Sequence, residues 1–81
     1  MERSEIVAEL TKIFRKTFQN DKISIDEQTT PSDLKEWDSL NHAQLIYAIE
    51  KHFIIKFNLK EMVKFNSVGQ ICDGIEVKIK L

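Results

Sequence analysis

Apolar residues recur at helical spacing in three stretches of this chain, and this periodicity limits the fold more than any other feature. The stretches run over residues 3–18, from residue 38 or 39 to 53, and from residue 67 to the chain end. In each, positions three and four residues apart place apolar side chains on one helical face and polar side chains on the other. Residues 59–64 have room for a further short helix. The sequence therefore predicts an all-α fold, a four-helix bundle with three main helices and a short third helix.

Good helix caps precede these stretches. Asp38 and Ser39 both suit the N-cap of the second helix, Asn58 can cap the short helix, and Ser67 can cap the last one. Their side-chain oxygens can accept hydrogen bonds from backbone N–H groups that no carbonyl within the helix satisfies. We expect a helix to begin at each of these positions.

The composition is that of one small globular domain. The chain has 81 residues, of which 42% are apolar and 31% are charged, so we expect residues 1–81 to form a single domain. No apolar run approaches the roughly 20 residues that span a bilayer, and acids interrupt the first ten residues, which indicates a cytoplasmic protein without a signal peptide. The net charge of -1 offers no basic patch for nucleic acid. We further expect a monomer that does not insert into membranes.

A long loop separates the first two helices. The helical pattern fails over residues 19–37, where Asn20 and Asp21 are stop signals and residues 29–33 favour turns and caps. A loop longer than about 12 to 15 residues is unusual in a small domain and is often functional. Four apolar side chains are expected to hold it to the core: Ile23, Ile25, Leu34 and Trp37.

The second helix has two apolar faces in this interpretation. Its expected core stripe is Leu40, Leu45, Ile46, Ile49 and Phe53. Ala43 and Tyr47 lie four residues apart on a different face and are candidates for a contact surface.

After this helix we expect an extended connector that buries Ile55 and Phe57, because a lone strand has no partner. The single cysteine, Cys72, is expected to be a small buried residue.

The most informative motif is Asp38-Ser39-Leu40, where the long loop meets the second helix. Taken alone it is a weak signal, because Asp-Ser is a common helix start. Here it lies near mid-chain, opens a helix that ends in residues 49–53, and is followed by residues 65–69, Phe-Asn-Ser-Val-Gly, at the start of the last helix. In these respects the chain resembles the acyl carrier protein family over nearly its whole length.

The resemblance implies a carrier-protein bundle in which Ser39 receives a 4'-phosphopantetheine arm from coenzyme A. Asp38 and Leu40 complete the attachment motif, and a phosphopantetheinyl transferase supplies the base and Mg²⁺ for the transfer. The thiol of the arm then holds acyl groups as thioesters, so the chain is not an enzyme and partner enzymes load, modify and transfer the cargo. The first turn of a helix suits this linkage, because unpaired N–H groups and the helix dipole favour an anion there.

The resemblance also implies a partner-binding surface around the second helix. Its candidate residues are Asn41, Ala43, Gln44, Tyr47, Met62 and Phe65. For Met62 and Phe65 the pattern also allows core positions, and Trp37 is either an anchor of the loop or an exposed aromatic residue beside the arm. Asp38 serves as helix cap, as recognition residue, or as both.

The two histidines do not indicate a metal site. His42 and His52 are ten residues apart on one helix, which is the wrong spacing for a shared metal ion. Both are interpreted as surface residues, with His42 one turn after Ser39.

The charge pattern departs from the family. Acyl carriers of fatty acid synthesis are usually strongly acidic on the second helix, whereas here Glu50 is the only acid on that helix after Ser39. Residues 21–38 contain six acids and two lysines, and residues 56–81 contain five lysines and three acids. Electrostatic steering by a negative helix is therefore weakened. We hypothesise a specialised carrier in fatty acid, lipid, polyketide or surface-polysaccharide biosynthesis.

Two alternatives remain open at the level of sequence. An aminoacyl or peptidyl carrier would share the helices and the arm on Ser39. A helical interaction module that carries nothing would use Asp38 and Ser39 only as a helix start.

Overall fold

The computed structural model describes residues 1–80, and within that range it contains four α-helices and one short 3-10 helix. The α-helices are α1 (Arg3–Thr17), α2 (Ser39–Phe53), α3 (Leu59–Lys64) and α4 (Val68–Lys80). The 3-10 helix, Pro31–Asp33, lies in the loop between α1 and α2. The predicted all-α class is confirmed, although Leu81, the last residue of the predicted final helix, lies outside the described residues. No helix among residues 1–80 has the length and apolar character needed to cross a bilayer.

The core lies where α1 packs against α2 and α4. Its buried members are Ile6, Leu10, Ile13, Phe14, Phe18, Ile23, Trp37, Leu45, Ile46, Ile49, Phe57, Phe65, Val68, Ile71, Cys72 and Ile75. Each large apolar side chain buried in this way contributes about 1.5 to 3 kcal/mol to folding. The predicted burial of Cys72 is confirmed, and burial raises the pKa of its thiol.

The predicted caps are confirmed at all three helix starts. Asp38 precedes α2 and its side chain accepts a backbone hydrogen bond. Asn58 and Glu61 form a reciprocal box at α3, in which each side chain accepts the other residue's backbone N–H at 2.8 Å. Ser67 Oγ accepts the backbone N–H of Gln70 at 3.2 Å at the start of α4. These local interactions explain why the helix boundaries were predictable.

Carbonyls of the long loop also bind the start of α4. The backbone N–H of Val68 donates to Thr29 O and that of Gly69 donates to Glu27 O, both at 2.9 Å. The approach is close, since a Cβ atom at Gly69 would lie 3.0 Å from Glu27 O. The loop thus satisfies N–H groups that a helix start leaves unpaired.

Arg3 joins the first turn of α1 to the loop and to α4. Its guanidinium donates to Glu27 Oε1 at 3.1 Å, to Gly69 O at 3.2 Å, to Glu76 Oε1 at 2.8 Å, and to Asp73 Oδ1. The hydrogen bond to Asp73 is the main cause that raises the pKa of Arg3. Because this cluster is partly exposed, solvent screens its ion pairs, and its main effect is to fix the relative positions of three segments.

The loop is held to the core as the sequence predicts. Ile23 and Trp37 are buried, while Ile25 and Leu34 are half-buried and pack against the core. The connector after α2 is not a strand, as predicted, and it buries Phe57, whereas Ile55 is half-buried and packs against the core.

The expected core position of Leu40 is wrong, since 75% of its surface is exposed. An α-helix turns by about 100° per residue, so nine residues place Leu40 on the side opposite Ile49. Ile49 is completely buried, and its direction sets the face of α2 that packs inward. Leu40 therefore belongs to the exposed surface beside Ser39.

Helix α2 ends at an unusual residue. Ile54 takes the left-handed conformation, with φ 56° and ψ 55°, at a position where glycine is the usual choice. For an L-residue this conformation costs about 1 to 2 kcal/mol. Burial of the side chain offsets little of this cost, because the side chain is 90% exposed. The fold alone gives no reason for isoleucine here.

Replacing Ile54 with glycine should therefore stabilise the protein. We expect Ile54→Gly to raise the free energy of unfolding by about 1 kcal/mol, measured by urea denaturation, because the strain disappears and little burial is lost. Ile55→Gly is the control and should lower stability, since Ile55 packs against the core. An Ile54→Gly protein less stable than the parent would contradict this account of the helix end.

Candidate functional site

Ser39 is the first residue of α2 and is exposed. The backbone around it is fixed from both sides. Asp38 Oδ1 accepts the backbone N–H of Asn41 at 2.8 Å, and Asp38 O accepts the backbone N–H of His42 at 2.8 Å. Asn41 Nδ2 donates to Glu36 O, also at 2.8 Å. The hydroxyl-bearing side chain thus lies at a corner whose backbone is held by hydrogen bonds on both sides.

The electrostatic environment of this corner suits a negatively charged group. Helix α2 has no acidic residue in its first turn, and the one carboxylate at the helix start is that of the N-cap Asp38, which accepts the N–H of Asn41 and leaves the N–H groups of the first two helical residues for another acceptor. Glu36, before the helix, is held by Asn20 Nδ2 at 2.9 Å, and this hydrogen bond is the main cause that lowers the pKa of Glu36. A phosphate ester on Ser39 would face backbone N–H groups.

Trp37 and His42 form a hydrogen-bonded bridge beneath Ser39. Trp37 Nε1 donates to His42 Nδ1 at 2.9 Å, and His42 Nε2 lies 3.0 Å from Met62 O. Because Trp37 can only donate and a carbonyl can only accept, Nδ1 of His42 is the acceptor in this bridge and Nε2 is the donor. The prediction that His42 is a surface residue is wrong, since the residue is half-buried and both of its ring nitrogens are engaged in this bridge, which the pattern of α2 could not reveal.

Both ring nitrogens of His42 are therefore occupied, and it is not free to act as a base for Ser39. The other histidine, His52, is exposed as predicted, and its Nε2 lies 2.8 Å from Glu9 Oε1 on α1. Lys12 and His52 both lower the pKa of Glu9, the larger effect coming from the hydrogen bond of Lys12. Neither histidine is placed to activate the serine hydroxyl.

An open cavity of about 540 Å³ lies beside Ser39, between the start of α2 and helix α3. Its lining comprises Pro31, Trp37, Asp38, Ser39, His42, Met62, Val63, Phe65 and Asn66. Trp37 is only 2% exposed and forms part of the inner wall, which answers the question left open by the sequence in favour of an anchor. The structure thus brings Ser39 together with a partly apolar cavity that an attached group can reach.

The residues proposed for partner binding divide into three groups. Ala43, Gln44 and Tyr47 are exposed, whereas Asn41 and Met62 are half-buried. Phe65 is 7% exposed, so its placement on an exposed rim is wrong and the alternative core position holds. Its ring packs edge-on against Phe57 with centroids 5.0 Å apart.

An exposed apolar line on α2 was missed by the sequence interpretation. Leu40, Tyr47 and Ile54 are 75%, 61% and 90% exposed, and they follow one another at seven-residue intervals. Seven residues are nearly two helical turns, so this spacing was the available signal. Lys51 Nζ lies 5.4 Å from the centroid of the Tyr47 ring, and Lys16 of α1 lines the same groove as both of them.

Comparison with solved structures shows a likeness to an acyl carrier protein. The structure is similar to the solution NMR structure of the holo acyl carrier protein from Geobacter metallireducens, with a TM-score of 0.85 and 39% sequence identity. The alignment covers 91% of this chain and 85% of that protein. No family model and no curated protein sequence matches the chain.

The bridge beneath Ser39 should contribute measurably to stability. His42→Ala leaves Trp37 Nε1 and Met62 O without their partners in a half-buried place, so we expect the free energy of unfolding to fall by about 2 kcal/mol in urea denaturation. His52→Ala removes the other histidine of the helix at an exposed site and should have a much smaller effect. Equal losses of unfolding free energy in the two variants would show that the bridge contributes no more to stability than the exposed His52 does.

Proposed function

This chain belongs to the acyl carrier protein family, and from that premise we propose that it carries acyl groups as thioesters on a 4'-phosphopantetheine arm attached to Ser39. The observation that supports Ser39 most directly is its exposure at the first residue of α2, immediately after the cap Asp38 and beside an open cavity. Members of this family are carriers and not enzymes. The arm supplies the thiol, and partner enzymes perform the reactions on the cargo.

The residues around Ser39 fit such a group. The phosphodiester would lie at the N-terminus of α2, where N–H groups and the helix dipole favour an anion. Asp38 keeps this turn in place as its cap, and Leu40 stands exposed next to the attachment point. Trp37, Met62 and Val63 provide the apolar part of the cavity that the arm would follow.

Activation of the serine is proposed to come from outside the chain. An unassisted serine hydroxyl is a weak nucleophile, and His42 is engaged by Trp37 and Met62. A phosphopantetheinyl transferase would supply the base and transfer the arm from coenzyme A. We propose that residues 1–81 act in this way as a single carrier domain in the cytoplasm.

The partner surface is proposed to be the exposed face of α2. In its apolar line of Leu40, Tyr47 and Ile54, Tyr47 shares a groove with Lys51 and Lys16. An exposed, strained Ile54 is accounted for if a partner covers it. Glu50, the one acid of this helix, already accepts the backbone N–H of Phe57 at 2.8 Å. A matching partner would offer apolar sockets flanked by carboxylates.

This surface supports a specialised carrier with dedicated partners. The general carriers of the family present acids on this helix to basic enzyme surfaces, and the lysines here would repel such surfaces. Loading, modifying and transferring enzymes of a fatty acid, lipid, polyketide or surface-polysaccharide pathway are the partners we propose.

Attachment at Ser39 can be tested by mass spectrometry of the intact protein. Incubation with coenzyme A and a transferase of broad specificity should add one phosphopantetheine group to the chain, and Ser39→Ala should abolish the addition. Ser24→Ala, at another exposed serine, is the control and should be modified fully. An unmodified parent protein would favour the interaction module, and an aminoacyl group on the loaded chain would favour the aminoacyl carrier.

The charge argument predicts how a general fatty acid synthase will use the modified protein. Turnover should be low with the parent chain, and Lys51→Glu should raise it at least about threefold, because an acid on α2 restores attraction to basic enzyme surfaces. Lys22→Glu makes the same charge change in the exposed loop and should have little effect. Parent turnover equal to that of the general carrier would refute the specialised role.

A further inference from the structure

The end of α2 carries a surface that is both apolar and positively charged. We name it the basic face, and it consists of Lys16 of α1 together with Tyr47, Lys51, Ile54 and Lys56, all of them exposed. Two open cavities of about 830 and 420 Å³ adjoin each other here, since Tyr47 and Lys51 line both of them. Lys16 lines the larger cavity, and Ile54 and Lys56 line the smaller one. The basic face is therefore one continuous surface.

The lysines of the basic face keep their positive charge uncompensated. Within residues 1–80, none of Lys16, Lys51 and Lys56 forms an ion pair with a carboxylate. Among the described residues, Glu50 is the only acid that lines either cavity, and its Oε2 accepts the backbone N–H of Phe57 at 2.8 Å. The surface thus presents three positive charges and one carboxylate that already has a hydrogen-bond donor.

Other acids do not change this balance. Glu9 Oε1 lies 2.8 Å from Nε2 of His52, which lines the larger cavity, but Glu9 Oε2 also lies 3.2 Å from Lys12 Nζ, and this lysine offsets its charge. Six further acids lie between residues 21 and 38, in the loop before α2, and no residue of that segment lines either cavity. An anionic partner is therefore attracted to the basic face.

The apolar part of the basic face protrudes. Ile54 is 90% exposed and takes the left-handed conformation, with φ 56°, although the fold gives no reason for isoleucine there. Tyr47 is 61% exposed, and Lys51 Nζ lies 5.4 Å from the centroid of its ring. Tyrosine and lysine both combine an apolar body with a polar end. The basic face thus joins an apolar tip to amphipathic and charged side chains.

An anionic lipid surface matches this combination. Lysines near a negatively charged bilayer are attracted to its headgroups, and tyrosine rings are favoured at the boundary between headgroups and acyl chains. An exposed isoleucine can enter the same boundary. A fluid lipid surface also adapts to a tip that stands beside open cavities, whereas a protein partner would need a socket of matching shape. These properties favour a lipid surface over an acidic protein as the occupant.

We propose that the basic face binds this protein reversibly to anionic lipid bilayers, with Ile54 at the level of the headgroups and the three lysines beside lipid phosphates. The contact is peripheral, and one apolar tip with three lysines gives weak binding that lets the protein leave again. It goes beyond the proposed carrier function and requires no arm. Ser39 lies about 22 Å along α2 from Ile54, so an arm there would present its cargo close to the bilayer.

Sedimentation with large lipid vesicles tests the binding on the unmodified protein. The vesicles consist of phosphatidylcholine alone or of phosphatidylcholine and phosphatidylglycerol in equal amounts, at low ionic strength. We expect the partition coefficient to be at least about tenfold higher on the anionic vesicles, and this preference to disappear in about 1 M salt, where charges are screened within about 3 Å. Equal partitioning on both kinds of vesicle, or no binding to either, refutes the proposal.

Two variants separate the charge from the apolar tip. Lys51→Glu and Ile54→Gly should each lower the partition coefficient on anionic vesicles at least about fivefold. Ile54→Gly is expected to fold more stably than the parent, so its loss of binding cannot come from unfolding. Lys22→Glu makes the same charge change in the exposed loop and should stay within about twofold of the parent. Equal losses in Lys51→Glu and Lys22→Glu would mean that net charge, and not the basic face, governs binding.

A soluble polyanion distinguishes lipid from an acidic protein surface. Poly-glutamate has charge but no apolar phase, so we expect it to bind the parent and Ile54→Gly equally, while anionic vesicles prefer the parent. If Ile54→Gly binds the vesicles as tightly as the parent does, the face is a site for acidic partners in general and the lipid proposal is wrong. The protein in these experiments carries no arm, so a failure of attachment at Ser39 would refute the proposed function and leave the lipid result to stand by itself.

Discussion

The burial of Trp37 is the constraint on which the arrangement around α2 depends. The indole packs against Phe14 of α1 and donates its N–H to His42, so the end of the long loop has one fixed position on the core. The next residue, Asp38, is exposed and caps the helix, and Ser39 follows it on the surface. The buried Trp37 and the helix cap Asp38 thus fix the end of the long loop and, with it, the position of Ser39.

Much of the fold could be predicted because the signals were local. The helix starts follow from the cap chemistry of Asp38, Asn58 and Ser67, whose hydrogen bonds join residues three apart in sequence. The burial of Cys72 followed from apolar periodicity, which depends only on the spacing within one helix. Ser39 was singled out by its motif and by the loop before it, and its exposure agrees with that reasoning.

The features that escaped prediction depend on contacts between distant segments. Leu40 was expected in the core as the first apolar residue of the helix, although the direction of Ile49 turns it to solvent. His42 has a polar pattern like that of a surface residue, and only the approach of Met62, twenty residues away, gives its ring an inward role. Phe65 likewise lies in the core because Phe57 and α4 meet at that point. Spacing within a helix carries no information on which other segment it will face.

The loop carbonyls that bind α4 have a consequence for how the molecule opens. Thr29 O and Glu27 O accept the first N–H groups of α4, and Arg3 contacts the same loop and the same helix. A fluctuation that lifts this part of the loop therefore also frees the start of α4 and the first turn of α1. Three segments that are far apart in sequence form one cooperative unit of local unfolding. The attachment corner has its own contacts, since Trp37 packs against Phe14 and donates to His42.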